Sequence, residues 1–287
     1  MIWLIGKSGL LGQEVELMLK EKNFSYVASG HETDITDFDN LKDFSKDKQI
    51  NWIINCAAYT AVDKAEEDSE NAFKLNHHAV CNIIKIATEK NAKIIHISTD
   101  YVFDGKKNSK YTEDDIPNPL NIYGKSKFNA ELELKEYEKS FVIRISWLFG
   151  YNKNNFVKTM LSLFNSKEEI KVINDQFGLP TYTRDLSKLL GEIISIDSAA
   201  YGIYHFCNSG EEISWFDFTS EIYRQAKDFQ LLNKEVKITP ITTKEYKQLA
   251  ERPKKSAMST EKIRQVFGCT PPSWQDALNH FLKKEFI

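Results

Sequence analysis

Three glycines near the N-terminus restrict the possible folds of this chain more than any other feature. Gly6, Gly9 and Gly12 have the spacing G-x-x-G-x-x-G. An apolar run at residues 2–5 predicts a buried strand before them, and the apolar periodicity of residues 10–20 predicts a helix after them. In such a unit the glycines permit a tight turn, close approach of a pyrophosphate and close packing of helix on strand. The sequence therefore predicts a dinucleotide-binding turn, with the phosphates at the helix N-terminus.

The first half of the chain alternates strand-like and helical patterns. Strands are predicted at residues 2–5, 26–28, 52–55, 93–97 and 141–145, and helices at 10–20, 70–89 and 123–137. This alternation is typical of α/β proteins, in which helices cover both faces of a parallel sheet. We therefore expect a Rossmann-like, doubly wound parallel sheet.

The pattern changes after Trp147. Helices are predicted at residues 156–164, 186–194, 215–226 and 274–281, with one strand at 203–206. Because domains have ~150 residues as a soft prior, we expect residues 1–150 to form an NAD(P)-binding Rossmann domain. Residues 151–287 are expected to form mainly a smaller α/β substrate-binding region, which can return segments to the Rossmann core.

Charge, hydropathy and cysteine spacing argue against several classes of protein. The 287 residues include 38 Lys and Arg against 41 Asp and Glu, which argues against a nucleic-acid partner held by bulk positive charge. No apolar run approaches the ~18–20 residues that span a bilayer, so no membrane partner is expected. Cys56, Cys81, Cys207 and Cys269 are far apart, which argues against disulfides or a metal cluster and favours a reducing compartment. We expect a soluble, cytoplasmic protein.

The end of the second predicted strand bears on the choice of cofactor. NAD-selective folds usually carry an acidic residue there, which binds the ribose 2′-hydroxyl. Ser29 and Gly30 occupy this place, and Lys7 or His31 could attract a 2′-phosphate. This arrangement favours NADPH, while Glu32 keeps NADH possible.

A tyrosine and a lysine four residues apart form the candidate catalytic pair. Tyr123 and Lys127 would share one face of a helix. A free phenol has a pKa of about 10, which a neighbouring ammonium lowers by stabilising the phenolate. Such a tyrosine can protonate a carbonyl oxygen as hydride reaches the carbon. Thr99 follows the fourth predicted strand, at the edge where parallel sheets bind ligands, so the three side chains can converge.

Further motifs are spread over nearly the whole chain. They read NCAAYTAVDKAE at 55–66, STDYVFDG at 98–105, NIYGKSK at 121–127, RISW at 144–147, NNFVKTM at 154–160, NDQFGLPT at 174–181 and RPKKS at 252–256. With them the chain resembles the extended short-chain dehydrogenase/reductases and, within that group, the dTDP-4-dehydrorhamnose reductase family. The resemblance implies NADPH-dependent reduction of the C4 keto group of dTDP-4-dehydro-L-rhamnose to dTDP-L-rhamnose. That reaction would serve the synthesis of nucleotide sugars for surface polysaccharides.

The resemblance also implies roles for single residues. Thr99 would orient the substrate carbonyl, Tyr123 would donate the proton, and Lys127 would lower the tyrosine pKa and bind the nicotinamide ribose. Residues 34–35 would lie near the adenine and residues 56–59 along the dinucleotide. The expected cofactor contacts are Gly6, Ser8, Gly9, Leu10, Leu11, Gly12, Asp34, Ile35, Cys56, Ala57, Ala58, Tyr59, Tyr123 and Lys127.

The substrate side and the question of a metal follow from the same resemblance. The residues expected to wall the sugar pocket are Asp100, Tyr101 and Trp147, and those expected near the nucleotide diphosphate are Asn155, Gln176 and Arg252. Some members of the family dimerise around a metal held by glutamates. Glu14 falls at one such place without identifiable acidic partners, so no metal is expected, and a homodimer stays open.

Two other functions are compatible with the sequence. One is a 4-keto reductase for a different deoxysugar nucleotide, since a few contacts in the pocket decide such specificity. The other is a non-catalytic regulatory subunit on the same fold. The presence of Thr99, Tyr123 and Lys127 together with Trp147 and Arg252 favours an enzyme.

Overall fold

The computed structural model describes residues 1–286, so residue 287 of the predicted substrate-binding region lies outside it. The strands are β1 (Ile2–Ile5), β2 (Tyr26–Ser29), β3 (Trp52–Asn55), β4 (Lys93–Thr99), β5 (Ser140–Ile145), β6 (Leu148–Phe149), β7 (Glu169–Ile173), β8 (Phe177–Gly178), β9 (Thr181–Tyr182), β10 (Gly202–Phe206), β11 (Ile213–Ser214) and β12 (Lys237–Ile241). The α-helices are α1 (Leu10–Glu21), α2 (Phe38–Ser45), α3 (Val62–Glu67), α4 (Ser69–Phe73), α5 (Ala79–Lys90), α6 (Ile122–Lys135), α7 (Phe156–Ser166), α8 (Thr183–Ser195), α9 (Trp215–Asp228), α10 (Glu261–Phe267) and α11 (Trp274–Phe286).

Six strands form one parallel sheet in the order β10-β5-β4-β3-β1-β2. Strand β1 pairs with both β2 and β3, so that Ile5 lies opposite Ser29 on one side and Asn55 on the other. The carboxyl ends of β1, β2 and β3 therefore meet at one edge. The expected doubly wound α/β fold is confirmed.

The apolar strands are covered on both faces. Leu4 of β1 packs into a core with α1 and α8, whereas its neighbours Trp3 and Ile5 pack into a core with α2, α5 and α6. Successive side chains of a strand point to opposite faces, so a strand buried on both faces reads as an unbroken apolar run. This is why the sequence predicts β1 at its observed bounds.

A second, smaller core lies in the later part of the chain. Side chains of α7, α9 and α11, including Phe164, Phe218 and Phe281, pack together with β7 and β12. These two strands pair in parallel, and the sequence analysis missed both. Charged residues interrupt Glu169–Ile173, and Pro240 interrupts Lys237–Ile241, so neither segment shows a clean strand pattern. From this half, β10 joins the six-stranded sheet and α8 packs against α1.

The prediction of one continuous α-helix over residues 70–89 is wrong. A π-helical segment, Lys74–His78, separates α4 from α5. It carries the buried Asn76, whose Oδ1 accepts the Tyr59 backbone N–H at 2.8 Å and whose Nδ2 donates to Tyr59 O at 3.1 Å. Nδ2 also donates to Ser126 Oγ on α6 at 2.9 Å. The irregular turn thus fixes the loop that follows β3 against α6.

Within residues 1–286, no helix is long and apolar enough to cross a membrane. The four cysteines are all free.

Candidate active site

A cleft of about 870 Å³ opens at the carboxyl ends of β1, β3, β4 and β5. The strand order changes direction between β1 and β3, which is where open parallel sheets bind ligands. The predicted site residues that line the cleft are Gly6, Ser8, Gly9, Leu10, Leu11, Asp34, Ile35, Cys56, Ala57, Ala58, Thr99, Asp100, Tyr101, Tyr123, Lys127, Trp147 and Asn155. The predicted site residues outside this lining are Gly12, Tyr59, Gln176 and Arg252.

The glycine turn leaves backbone exposed to the cleft. Gly6 has a φ of +82°, and a Cβ on it would lie 2.7 Å from the Ala57 backbone nitrogen. Gly12 packs beneath the turn, where a Cβ would lie 2.0 Å from Gly6 O. Helix α1 starts after Gly9 without a side-chain cap and without an acidic residue in its first turn. Its first N–H groups are therefore available to an anionic ligand.

A lysine of the glycine turn is already paired with a glutamate that follows β2. Ser29 is buried, and its Oγ accepts the Trp3 indole N–H at 2.9 Å. Lys7 Nζ lies 2.6 Å from Glu32 Oε1, and that oxygen also accepts the Gly30 N–H at 3.0 Å. The lysine and these hydrogen bonds lower the pKa of Glu32 to about 2. The carboxylate is thus charged, but Lys7 neutralises it.

Two further segments form the side of the cleft expected near the nucleotide. Asp34 accepts from the Thr36 N–H and hydroxyl at 2.9 and 2.8 Å, which lowers the pKa of Asp34. Cys56 follows β3, and burial raises the pKa of its thiol to about 12, so it stays protonated. Tyr59 points away, with its hydroxyl donating to Asp68 Oδ2 at 3.1 Å.

The start of α6 brings Tyr123 to the cleft. Asn121 caps the helix by accepting the Gly124 N–H at 2.7 Å. A Cβ on Gly124 would lie 2.2 Å from Tyr101 O, so this glycine lets the turn after β4 approach α6. The rings of Tyr101 and Tyr123 then meet edge to face at 5.9 Å. Thr99 holds that turn through its Oγ1, which accepts the Tyr101 N–H at 3.1 Å.

The pKa of Tyr123 differs from the sequence-based expectation. Burial raises the pKa of Tyr123 to about 12, a hydrogen bond with Thr99 lowers it in part, and Asp100 raises it further. Lys127 is buried, and its Nζ lies 2.6 Å from Ile97 O and 3.0 Å from His96 Nε2. Burial lowers the pKa of Lys127 to about 8. The phenol is thus protonated at neutral pH, the form that a proton donor needs.

Asp100 is a buried carboxyl beside Thr99. The Thr99 hydroxyl donates to Asp100 Oδ1 at 3.1 Å. Burial raises the pKa of Asp100 to about 7 despite the nearby hydrogen bonds. At neutral pH this carboxyl can therefore offer a cleft ligand either a donor or an acceptor.

Trp147 forms part of the cleft wall. Its φ of +46° lies in the left-handed region, which is costly for a side chain of this size. Trp215, at the start of α9, stacks on it with ring centroids 3.6 Å apart. A Cβ on Gly178 would lie 2.8 Å from the Trp147 ring, so the glycine leaves room on another side. Packing from α9 and β8 thus holds Trp147 in an unfavourable backbone conformation.

The three residues expected near the diphosphate occupy different surroundings. Asn155 lines the cleft and caps α7. Gln176 is buried outside the lining, where its Nε2 donates to Thr243 Oγ1 at 3.1 Å. Arg252 forms a bidentate ion pair with Asp63, at 3.0 Å to Oδ1 and 2.6 Å to Oδ2.

Comparison with known proteins assigns the chain to one family. The family described as RmlD substrate binding domain matches residues 1–286. A dTDP-4-dehydrorhamnose reductase from Aggregatibacter actinomycetemcomitans is 40% identical over 285 residues, which is 96% of this chain and 96% of that protein. The chain belongs to the dTDP-4-dehydrorhamnose reductase family.

Solved structures of this family share the fold along its whole length. A dTDP-4-dehydrorhamnose reductase from Clostridium acetobutylicum has a TM-score of 0.93 and 37% identity, covering 100% of this chain and 99% of that one. One from Bacillus anthracis, solved in complex with NADP, has a TM-score of 0.92 and 35% identity, covering 99% and 98%. The fold of this chain is therefore the fold of solved members of the family.

Sequence reasoning missed two side chains of this family member's site. His96 contacts Lys127, and Trp215 stacks on Trp147 and lines the cleft. The local signal for His96 is a histidine among the isoleucines at 94, 95 and 97. Trp215 gave no such signal, because an aromatic residue on a helix is usually part of the core.

One group of possible metal ligands lies outside the cleft lining. Ligand atoms of His77, Cys81 and Glu133 lie within 4.8 Å of one another, on the π-helical segment, α5 and α6. Glu14 is buried, near the positive charges of Lys284 and Arg184, and burial raises its pKa. The expectation of no metal stays a prediction.

Proposed function

We propose that this protein reduces the C4 keto group of dTDP-4-dehydro-L-rhamnose with NADPH, forming dTDP-L-rhamnose. One observation supports this most. The same cleft is lined by the glycine turn of a nucleotide-binding fold and by Thr99, Tyr123 and Lys127. The relatives from Aggregatibacter actinomycetemcomitans and Bacillus anthracis are named dTDP-4-dehydrorhamnose reductases, and the latter was solved with NADP.

The first part of the chain fits a dinucleotide. NADPH, when bound, supplies the hydride. A Cβ on Gly6 or Gly12 would collide with neighbouring backbone, so these glycines let the turn close tightly. The uncapped start of α1 offers N–H donors to a diphosphate. Ala57 and Ala58 line the same side and allow close approach of a flat ring. The proposed cofactor contacts are the fourteen residues named from the sequence, with Gly12 and Tyr59 acting through packing of the turn and the loop.

In the proposed reaction Tyr123 gives its proton to the C4 oxygen as hydride arrives at C4. Its pKa of about 12 keeps the proton on the phenol until the oxygen becomes basic. Thr99 shares a hydrogen bond with Tyr123 and orients the carbonyl. Lys127 directs a remaining N–H towards the nicotinamide ribose. General acid catalysis of this kind typically contributes ~10²–10⁴-fold.

The remaining residues hold the sugar nucleotide. Trp147, stacked on Trp215, provides an apolar wall for the sugar, and Asp100 and Tyr101 provide polar contacts in the same cleft. Asn155 contacts the diphosphate side directly in this proposal. Gln176 and Arg252 lie outside the lining. In this proposal both also serve the diphosphate side, and Arg252 exchanges Asp63 for the diphosphate when the substrate binds.

The proposal divides the chain by task. Residues 1–150 bind the cofactor, and residues 151–287 mainly bind the substrate while contributing β10 and α8 to the Rossmann core. The partner is a dTDP-sugar in the cytoplasm, with no nucleic acid or membrane involved. A homodimer stays a prediction, which size-exclusion chromatography with light scattering tests.

The direct test is NADPH oxidation with dTDP-4-dehydro-L-rhamnose, followed by NMR of the product. We expect turnover to dTDP-L-rhamnose and a loss of ~10²–10⁴-fold in kcat for Tyr123→Phe, which lacks only the donating hydroxyl. The variant should bind NADPH as the wild type does. Turnover of a different 4-keto sugar nucleotide alone would favour the alternative reductase, and NADPH binding without any turnover would favour a regulatory subunit.

A further inference from the structure

A buried histidine lies behind the catalytic lysine. His96 of β4 is completely buried, and its two ring nitrogens each face one neighbour. Nε2 lies 3.0 Å from Lys127 Nζ, and Nδ1 lies 3.1 Å from Asn55 Nδ2. Asn55 in turn accepts the Ala57 backbone N–H through Oδ1 at 3.0 Å. These contacts connect Lys127 to backbone that lines the cleft.

The backbone N–H of Ala57 determines which atoms of Asn55 and His96 carry hydrogens. The Ala57 N–H can only donate, so the amide oxygen of Asn55 must face it and the amide NH₂ must face His96. The NH₂ group donates to Nδ1, which therefore carries no hydrogen. A neutral imidazole with a bare Nδ1 carries its hydrogen on Nε2, where it points at Lys127.

This tautomer constrains the charge of the lysine. An ammonium group can only donate, whereas an uncharged amine can accept one hydrogen bond. The Nε2–H of His96 therefore matches an amine on Lys127, whose own hydrogens are left for Ile97 O and the cleft. Burial lowers the pKa of His96 well below 6.5, so a doubly protonated ring does not arise near neutral pH.

We propose that Asn55 and His96 position Lys127 and hold it as an uncharged amine in the free protein. This inference rests on the proposed function, in which Lys127 serves the reaction. When Lys127 takes up a proton from solvent, it must donate to Nε2, and the single hydrogen of His96 must then sit on Nδ1. Asn55 has to turn its oxygen towards Nδ1, which leaves the Ala57 N–H free at the cleft. Ionisation of the lysine and the donor capacity of the cleft are thereby coupled.

The other groups near Lys127 do not replace this control. Glu131 favours the charged form, but it is engaged in a buried pair with Arg144 at 2.6 Å. Burial raises the pKa of Cys56 and of Tyr123 to about 12 each, so both are neutral near pH 7. Burial lowers the pKa of Lys127 to about 8, and a donor facing Nζ lowers it further by stabilising only the amine.

The first experiment measures the tautomer and does not depend on catalysis. Long-range ¹H–¹⁵N correlation spectra of ¹⁵N-labelled wild-type protein distinguish the two neutral imidazole forms and the imidazolium. The spectrum of His96→Gln identifies the His96 signals by their loss. We expect hydrogen on Nε2 and a bare Nδ1 at neutral pH. Hydrogen on Nδ1, or a charged ring, would overturn the proposal whether or not the protein is a reductase.

The second experiment reverses the tautomer. In Asn55→Asp the carboxylate accepts from both the Ala57 N–H and an Nδ1–H, which favours the ionised Lys127. In the wild type, titration of Lys127 is expected to give an inflection in the plot of log kcat/KM against pH at or below pH 8. In Asn55→Asp it should move up by about one to three pH units, the usual effect of a nearby opposite charge. An unchanged inflection in a folded variant would contradict the inference.

A matched control separates this effect from general damage to the core. His205 of β10 is also completely buried, but its ring faces Arg144 and the Tyr111 carbonyl instead of Lys127. His205→Gln should leave the inflection in place even if it lowers the melting temperature. A shift equal to that of Asn55→Asp would show that any core change moves the profile, and would contradict a specific role. Absence of reductase activity in the wild type would instead remove the proposed function, leaving the tautomer measurement as the test.

Discussion

Burial sets the charge states of single side chains in the cleft. It raises the pKa of Tyr123 to about 12 and of Asp100 to about 7, and it lowers that of Lys127 to about 8. In each case burial stabilises the uncharged form relative to the charged form, because low-dielectric surroundings disfavour a charge of either sign. At neutral pH the Tyr123 phenol therefore keeps its proton, and the pKa values of Asp100 and Lys127 lie close to neutral pH.

Asp100 links the stability of the fold to pH. A carboxyl whose pKa is raised on folding stabilises the native state fully below its unfolded pKa of about 4 and loses that contribution as the pH rises to about 7. Relative to Asp100→Asn, the free energy of unfolding of the wild type should fall by up to ~1.4 kcal/mol per pH unit between about pH 5 and 7. Above about pH 8 the difference should be level. Urea unfolding of both proteins across this range measures it, and a constant difference would mean that Asp100 ionises normally.

The ion pair between Lys7 and Glu32 predicts a preference for NADPH over NADH. Lys7→Ala should raise KM for NADPH by up to about fivefold, the scale of an exposed ion pair, and leave KM for NADH unchanged. Glu32→Ala frees Lys7 from its 2.6 Å contact and should lower KM for NADPH. Steady-state kinetics with both cofactors tests this. Equal changes for NADPH and NADH would place the 2′-phosphate away from Lys7.

Among the elements, the glycine turn and α1 depend most on residues without a side chain. Gly12→Ala would bring a Cβ within 2.0 Å of Gly6 O, whereas Gly9→Ala would bring one only to 3.3 Å of the same atom, at an ordinary φ of −77°. Gly12→Ala should destabilise the protein by about 1–3 kcal/mol or more, as overpacking does, and weaken NADPH binding. Gly9→Ala should retain the stability. Thermal melts with and without NADPH compare the two, and equal behaviour would contradict the packing role of Gly12.

The elements also show where sequence patterns suffice. β1 and β3 are predicted at their observed bounds, because burial on both faces leaves an unbroken apolar run. Tyr123 and Lys127 are predicted as a pair because their spacing is local. His96 and Trp215 were missed because their partners, Lys127 and Trp147, come close only in the folded chain. The π-helical turn at residues 74–78 was not predicted for the same reason. It is held by hydrogen bonds between the Asn76 side chain and the backbone of Tyr59, which lies in another loop.

Over the whole molecule, an ion pair joins the two halves of the chain. Arg252, from the later half, binds Asp63 of α3, and Asp63 Oδ1 also accepts the N–H groups of Leu249 and Ala250. The arginine holds the pKa of Asp63 at about 2. This pair therefore ties the segment before Pro253 to the cofactor half, beside Tyr101 at the cleft.

Paired variants decide whether Arg252 also binds substrate. If it contacts the diphosphate, Arg252→Ala should raise KM for the sugar nucleotide roughly 10- to 150-fold, the scale of a charge-assisted hydrogen bond, with an unchanged Kd for NADPH. Asp63→Asn removes the ion pair but leaves the guanidinium free, so its KM should stay near that of the wild type. If the ion pair is only a structural tie, the two variants should lower the melting temperature alike and leave KM within about twofold.

The central claim, that this cleft transfers hydride to C4 of a 4-keto sugar nucleotide, has one direct measurement. dTDP-4-dehydro-L-rhamnose is reduced in ordinary water with NADPH that carries deuterium at both hydrogen positions of nicotinamide C4, and the product is examined by NMR. The account predicts one deuterium on sugar C4, in the L-rhamno configuration only, with the hydroxyl hydrogen drawn from water through Tyr123. Deuterium at another carbon, its absence from the product, or a mixture of C4 epimers would contradict it.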